Sequence, residues 1–375
     1  MKKPLFFYHL NTQFKNTGDL LINQVYIRLL SAKGDVYVED HGKPDDFVDA
    51  LLTAHVYRLS AFAPTYHTVS QFLLSPEAKQ VREENECYFV YVPGDMFRSG
   101  LKSTAAHVLA LRIPFLLRLR GIKILRIGVS MGKLDPLNAL TESLASMLYH
   151  AYAVRDSTSH ALAKRYKFSN LHSIPDLAWA YKGSPLLAGD DVQERMVVLS
   201  FRSNTYGTIH QSAYLSELIG SLRSILEMSD LRAHKIVIAY QVAYDRQAAC
   251  ELAATLSVSF DVKLIDEQLG LEKAYHLYQR ATCVISNRLH VLLLAIRANT
   301  LAIPYIDPED NQKIVSIYED NGLMDTVLLR KEEDLHNVRI LNQVISQQER
   351  WRQTYQHLST QNENEIVKCL DTILS

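Results

Sequence analysis

The sequence lacks most features that would settle a function at once. Its four cysteines (Cys87, Cys250, Cys283 and Cys369) are far apart and form no CxxC pair. That excludes a disulfide-framed secreted scaffold and a zinc knuckle, and the thiols read as reduced and inert in a cytoplasmic protein. Charge of one sign is missing too: 40 Lys+Arg against 41 Asp+Glu give a formal net charge of −1. Nothing draws the whole chain to nucleic acid or an acidic membrane, so anion binding must rest on local charge. There is no GxGxxG or GxxxxGK[ST] phosphate loop, no HExxH and no GxSxG elbow, which removes the common signatures of dinucleotide enzymes, P-loop proteins, zincins and serine hydrolases. Long apolar runs are absent as well. Lys2 and Lys3 precede Leu5–Leu10, but that stretch is too short for a signal core, lacks a small-residue cleavage site and reads as a first strand. Ala105–Leu119 contains His107, Arg112, Pro114 and Arg118 and falls short of the ~20 residues of a clean membrane span. Between a buried helix and one lying against a membrane surface, the scattered charges and middling length favour the buried helix.

What is present is an ordinary globular composition, 47% hydrophobic and 22% charged, over 375 residues. That length exceeds one ordinary core and predicts two domains. In the first half, strand patterns at Pro4–Leu10, Val36–Glu39, Tyr88–Val92, Lys123–Val129, Ala151–Arg155 and Leu171–Ile174 alternate with helical patterns at Asp19–Ala32, Ser103–Arg120, Pro136–His150 and Ser157–Lys167. Lys182–Glu194, with its glycines, Pro185 and paired aspartates, reads as a linker. The second half restarts with strands at Met196–Phe201, Lys235–Ala239, Asp261–Ile265, Val284–Ser286 and Leu301–Tyr305. Its helices are expected at His210–Met228, Tyr244–Leu256, Leu271–Ala281, His290–Ala298 and Gln312–Asn321. Alternating strand and helix predicts parallel sheets covered on both faces. The expected organisation is therefore α/β: a doubly wound domain over 1–182, a second over 195–334, and a polar helical segment over 335–375 anchored by Trp351 and Tyr355. Two such domains imply a cleft between them as the default ligand site.

The chain is organised around Cys283–Asp307, CVISNRLHVLLLAIRANTLAIPYID. A buried strand runs straight into Asn287, Arg288 and His290, then an apolar helix, then a second strand. Ligands of α/β sheets bind outside the carboxyl ends of the strands, where helix N-termini favour anions. The alternative for this pair is that Arg288 neutralises a neighbouring carboxylate and His290 is a satisfied core histidine. Four other strand ends carry similar groups. Asn16-Thr17-Gly18-Asp19 opens a helix that Asp19 can cap. Arg155 follows a strand, with Asp156 or Ser157 as the next cap and a salt bridge to Asp156 or Asp176 as its structural alternative. Ser200-Phe201-Arg202-Ser203-Asn204 ends the first strand of the second half, and Lys313 stands near a helix start, against the dipole unless an anion is present. Asp307–Asp310 reads as a capped turn rather than a divalent-ion site. Gly94-Asp95 and Gly128-Val129-Ser130-Met131-Gly132 are further strand-end turns.

The order of these sites resembles the polysaccharide pyruvyl transferase family. The resemblance rests on Asn16-x-Gly18-Asp19, Gly128-Val129-Ser130-x-Gly132, Val154-Arg155-Asp156-x-x-Ser159, Pro175-Asp176, Ser200-x-Arg202 and Arg288-Leu289-His290, followed by Ala295, Pro304, Tyr305, Lys313 and Gly322. It covers about residues 11 to 325 and implies two Rossmann-like domains facing a cleft, similar to the GT-B glycosyltransferases. It implies transfer of the enolpyruvyl unit of phosphoenolpyruvate onto two hydroxyls of a cell-surface polysaccharide or exopolysaccharide precursor, giving a pyruvate ketal. By position, Arg155, His290 and Lys313 match donor-holding residues. Arg288 shares the motif of His290, and Arg202 joins the donor set. Asn16 and Asp95 fall on the acceptor side, and Asp19 is placed to orient or deprotonate the acceptor hydroxyl. Phosphoenolpyruvate is then a co-substrate. No cofactor or metal is required, and neither nucleic acid nor a transmembrane segment is expected. A lipid-linked acceptor would bring a cytoplasmic enzyme to the inner membrane face as a peripheral contact.

The chemistry suits these residue types independently. A donor with a carboxylate and a phosphate needs several cations, Arg for bidentate pairing and Lys as a point charge. Ketal formation begins by protonating the donor's methylene carbon, a step for an imidazole with a pKa near neutrality, hence His290. Two other readings stay open. One is a GT-B-like glycosyltransferase using a nucleotide sugar, in which Arg288 and Lys313 hold the diphosphate. The other is a non-catalytic sugar- or anion-binding protein, against which cations spread over both halves argue.

Overall fold

The computed structural model describes residues 2–184, 194–202 and 211–375. The middle of the expected linker, 185–193, lies outside the described residues. So do Ser203, Asn204 and the expected helix start at His210. The chain divides into two compact units. One comprises Met1–Phe14, Asp19–Leu177 and Glu363–Ser375; the other comprises Lys15–Gly18 and Ala178–Asn362.

The first unit holds β1 (Lys3–His9), β2 (Asp35–Val38), β3 (Val56–Arg58), β4 (Asn85–Tyr91), β5 (Gly94–Arg98), β6 (Lys123–Leu134), β7 (Ala151–Val154) and β8 (Leu171–Ser173). They form one parallel sheet in the order β3-β2-β1-β4-β6-β7-β8, with β5 paired to β6. The second unit holds β9 (Met196–Ser200), β10 (Lys235–Tyr240), β11 (Val262–Gln268), β12 (Cys283–Ser286), β13 (Leu301–Ile306) and β14 (Leu328–Leu329). Their order is β11-β10-β9-β12-β13-β14, again parallel throughout. Counted from β9, this is the doubly wound order 3-2-1-4-5-6, whose reversal point lies between β9 and β12.

Central strands of such sheets are covered on both faces and need unbroken apolar runs. Every residue of β9, β12 and β13 is buried. The helix Leu289–Arg297 that joins β12 to β13 buries all of Val291–Ile296. Such a helix is apolar all round because sheet and neighbouring helices enclose it. Each of its large side chains adds about 1.5–3 kcal/mol by leaving water.

Three expectations are corrected. The polar C-terminal segment is divided between the two units at Glu363 rather than standing as one piece. Its expected anchors Trp351 and Tyr355 are buried, and the Tyr355 hydroxyl lies 3.4 Å from the Ala302 amide of the second unit. The last residues belong to the first unit, where Ile366, Leu370 and Ile373 are buried and His150 Nε2 meets the Ile373 carbonyl at 3.0 Å. Gly94-Asp95 is not a plain turn but the start of β5, which Gly94 enters at φ +126°, a conformation glycine adopts without strain. Ala105–Leu119 is not a buried helix. It lies within two helices, Gly100–Ala110 and Arg112–Leu119, whose large apolar side chains mostly face solvent. Their buried positions are Thr104, His107, Pro114 and Leu117.

Candidate functional site

At the carboxyl edge of the second sheet, the adjacent ends of β9 and β12 are tied together by side chains. Ser286 Oγ donates to the Ser200 carbonyl at 2.5 Å and accepts the Arg288 N–H at 3.0 Å. The buried Asn287 amide accepts the Arg202 N–H at 2.9 Å and donates to the Arg202 carbonyl at 3.3 Å and to the Tyr214 hydroxyl at 3.1 Å. These bonds fix two cationic residues at the sheet's reversal point. The Arg202 guanidinium donates to Asn311 Oδ1 at 3.1 Å and to the Asp310 carbonyl at 3.3 Å, both uncharged acceptors at the start of the helix Gln312–Asp320. Lys313 stands half-buried in the first turn of that helix. His290 stands half-buried in the first turn of Leu289–Arg297. Arg288 occupies that helix's N-cap position in extended conformation and supplies no side-chain cap, as a guanidinium has no acceptor.

Arg288 is spent differently. It pairs with both oxygens of Asp245, Nη2 donating to Oδ1 at 2.5 Å and Nε meeting Oδ2. Burial pushes the Asp245 carboxyl above its ordinary pKa, while Arg288 and, more weakly, Arg202 pull it back. Burial opposes the charge on Arg288, but Asp245 and Tyr244 more than offset it and raise the guanidinium's pKa. The structural alternative noted for Arg288 is therefore what its side chain does, with Asp245 as the carboxylate. Two guanidinium groups and one carboxylate leave the trio at +1.

Lys15–Gly18 belongs to this unit rather than to the first. Asn16 bridges antiparallel to Val242. Thr17 N–H donates to the Gln241 carbonyl at 3.0 Å, and its hydroxyl donates to the Leu269 carbonyl at 2.6 Å. Asn16, not Asp19, caps the following helix, accepting the Gly18 N–H at 2.9 Å. Gly18 abuts the imidazole: a Cβ built there would lie 2.6 Å from His290 Nδ1 and 2.9 Å from His290 Cβ. Only glycine leaves room for that approach.

In the first unit, Arg155 emerges from β7 into carboxylates. Its side chain is 3% exposed and meets Asp176 at 2.8 Å, Asp95 at 2.8 Å and Ser130 Oγ at 2.7 Å. Ser130 Oγ donates in turn to Asp156 at 2.6 Å, and Asp156 caps the next helix through the Ser159 N–H at 2.7 Å. The motif Gly128-Val129-Ser130 owes its shape to an irregularity in β6, where the register shifts between Ile127 and Val129 and Gly128 takes φ +76°. Bulges of this kind re-aim a side chain. Burial works against the Arg155 charge, but Asp176, Asp95, Asp156 and Asp19 more than offset it and raise the guanidinium's pKa. One cation and four carboxylates give this cluster a net charge of −3. Asp95 is exposed, and half-buried Asp19 accepts from the Thr12 hydroxyl at 2.5 Å and the Gln13 N–H at 3.1 Å.

Sequence reasoning missed Asp245 and Asn311 as members of these networks. Asp245 is an acid at a strand-to-helix turn and reads as one more cap. The sequence places Asn287 beside Arg288 and His290 but does not show its tie to Arg202. Asp307–Asp310 forms a turn in which Asp307 Oδ1 accepts the Glu309 N–H at 3.2 Å and Oδ2 pairs with Lys331 at 2.9 Å. No group of three potential metal ligands occurs among the described residues.

Several solved structures share this architecture. Alr3699/HepE from Anabaena, in complex with UDP and glucose, is 12% identical with a TM-score of 0.56, over 100% of this chain and 98% of that one. UDP-GlcNAc 2-epimerase from Neisseria meningitidis, bound to UDP-GlcNAc, is 12% identical with a TM-score of 0.56, over 100% and 99%. Arabidopsis thaliana UGT89C1, complexed with UDP-L-rhamnose, is 13% identical with a TM-score of 0.53, over 100% and 99%. At such identity the likeness is one of fold, two Rossmann-like units of the GT-B class. No curated protein matches the chain. A family pattern does match, over residues 16–307, running from Asn16 through the Arg-Leu-His motif to the end of the central stretch, and it makes the chain a member of the polysaccharide pyruvyl transferase family.

Proposed function

We propose that this protein transfers the pyruvyl unit of phosphoenolpyruvate to two hydroxyls of a saccharide acceptor, forming a cyclic ketal and releasing inorganic phosphate. The observation that carries the reading is the cationic edge of the second sheet. Arg202 and Lys313 stand at one helix start and His290 in the first turn of another, with Arg288 beside it paired to Asp245. A carboxylate and a phosphate on one small molecule call for such a surface, since charge-assisted bonds and helix N-termini both favour anions.

In this scheme His290 gives a proton to the donor's methylene carbon. The cation that forms at C2 is stabilised by the oxygen bearing the phosphate. A sugar hydroxyl adds to C2 and its proton returns to His290. Loss of phosphate renews the cation, the second hydroxyl closes the ketal, and its proton leaves with the phosphate. Asp19 and Asp95 are assigned to orient the hydroxyls. Arg155 holds Asp95 in place rather than binding the donor.

The test is a thermal-shift comparison of phosphoenolpyruvate with inorganic phosphate, UDP and UDP-glucose. A ligand at 100 times its Kd adds about 2.7 kcal/mol, a shift of a few degrees. A shift with phosphoenolpyruvate that is lost in Arg202→Ala and Lys313→Ala supports the proposal. A shift with UDP or UDP-glucose only would sink it and reassign those cations to a diphosphate.

A further inference from the structure

The first unit carries a face whose polarity is inverted. In helix Gly100–Ala110 the buried side chains are Thr104 and His107, while Leu101 is 77% and Leu109 66% exposed. In helix Pro136–Ser146 the polar Asn138, Thr141 and Glu142 are buried, while Leu137, Leu140 and Leu144 face out at i, i+3 and i+7. Helix Arg112–Leu119 adds Phe115, Leu116 and Leu119. Eleven of the eighteen exposed large hydrophobic residues among those described lie between Leu101 and Met147.

The helices are held together from the polar side. His107 Nε2 pairs with Glu142 at 3.0 Å, and the Gly100 N–H donates to Asp135 at 2.7 Å. Polar groups inside and leucines outside suit a helix cluster whose outer solvent is apolar, and exposed patches of this kind mark protein or membrane contacts.

The charges select between those. From Met96 to Leu134 the sequence contains no Asp or Glu. Lys102, Arg112, Arg118 and Arg120 are all exposed among the leucines. Glu142, the one acid of helix Pro136–Ser146, is buried against His107. A second copy meeting this face isologously would set the same cations against each other. An anionic bilayer would neutralise them while taking up the leucines, the pattern of an interfacial amphipathic surface.

We infer that the helices Gly100–Leu119 and Pro136–Ser146 dock the protein peripherally on an anionic phospholipid surface. The inference does not rest on the donor. The test is flotation of the full chain with vesicles of phosphatidylcholine alone and of phosphatidylcholine with phosphatidylglycerol, at low and high salt. Binding is expected on the anionic vesicles and to weaken with salt. Arg118→Gln with Arg120→Gln should lower partitioning about 25-fold, some fivefold per charge. Leu109→Gln with Leu119→Gln should lower it about tenfold or more. All four side chains are exposed, so the melting temperature should hold, and a melt confirms that each variant is folded. Absence of binding to anionic vesicles, or binding that neither pair of substitutions weakens, overturns the inference. So does a dimer in light scattering that Leu109→Gln with Leu119→Gln dissolves while no vesicle is bound, which would give the face to a second copy.

Discussion

The two sheets present cations at their carboxyl ends in opposite electrostatic settings. In the first unit Arg155 is enclosed by Asp19, Asp95, Asp156 and Asp176, one positive charge among four negative ones. In the second, Arg202 and Arg288 share Asp245, and Arg202 also donates to an amide and a backbone carbonyl. A buried charge is retained only when it is paired or hydrogen-bonded, yet the choice of partner decides what the cation can do. Carboxylates use up its charge and repel an arriving anion. Neutral oxygens satisfy its hydrogen bonds and leave its field outward. By that measure the second edge suits an anionic ligand better than the first does.

The largest effect that would sharpen this contrast is expected at His290. A general acid contributes about 10²–10⁴-fold, so His290→Ala should lower kcat for phosphate release by that factor while circular dichroism and melting stay unchanged. Activity within tenfold of the parent would remove the imidazole from the mechanism. Next comes Arg155→Ala. Removing one partner of a buried ion pair costs about 3–5 kcal/mol, here because Asp176, with 0% of its side chain exposed, would lose its cation. Denaturant unfolding should show that loss in the first unit. Unchanged stability together with loss of phosphoenolpyruvate binding would mean that Arg155 faces the donor, as the family resemblance implies, and would break the contrast.

Much of this arrangement was legible in the sequence, for a physical reason. A strand covered on both faces must be continuously apolar, and the helix beside it nearly so, which makes Cys283–Ser286, Val291–Ile296 and Leu301–Ile306 stand out without neighbours. The three-residue β3, the two-residue β14 and the short helices between Asp45 and Glu84 left no such signal. Elements of that length are stabilised by packing rather than by periodicity. At the site, the strand ends and their charged residues could be named, but not their pairing. Arg288 finds Asp245 43 positions away, and only the meeting of β10 and β12 on either side of β9 explains why. Ala105–Leu119 misled because an apolar run says nothing about which side faces water. There the buried positions include Thr104 and His107, and the leucines lie outside.

A smaller effect is expected at Arg202, where the contrast predicts the reverse of Arg155. Arg202→Ala removes charge-assisted bonds worth about 1.5–3 kcal/mol to a bound anion, so KM for phosphoenolpyruvate should rise by roughly tenfold to 150-fold, with a smaller loss of stability than Arg155→Ala because the Asn311 amide and the Asp310 carbonyl that it would leave are uncharged. A fall in melting temperature as large as that of Arg155→Ala, with KM unchanged, would show that both arginines are structural and that the two edges do not differ in kind.

The smallest effect probes the contact between the Asn-x-Gly-Asp motif and the imidazole. Gly18 is not in the left-handed region, so alanine fits its backbone, and the whole cost of Gly18→Ala lies in the Cβ, which would meet His290 Nδ1 at 2.6 Å and His290 Cβ at 2.9 Å. Something must move, and the imidazole of a half-buried side chain yields more easily than the backbone bonds that pin Thr17 to Gln241 and Leu269. A displacement on the order of 1 Å in a catalytic group can cost up to about 10²-fold in rate, while overpacking at a buried position that a movable side chain relieves costs about 1 kcal/mol of stability, the low end of its range. Gly18→Ala should therefore lower kcat by roughly tenfold or more with only a small loss of melting temperature, and it should add nothing further in the His290→Ala background. Independent losses in the double variant would mean that Gly18 matters for the bend of the chain rather than for the room it leaves the imidazole.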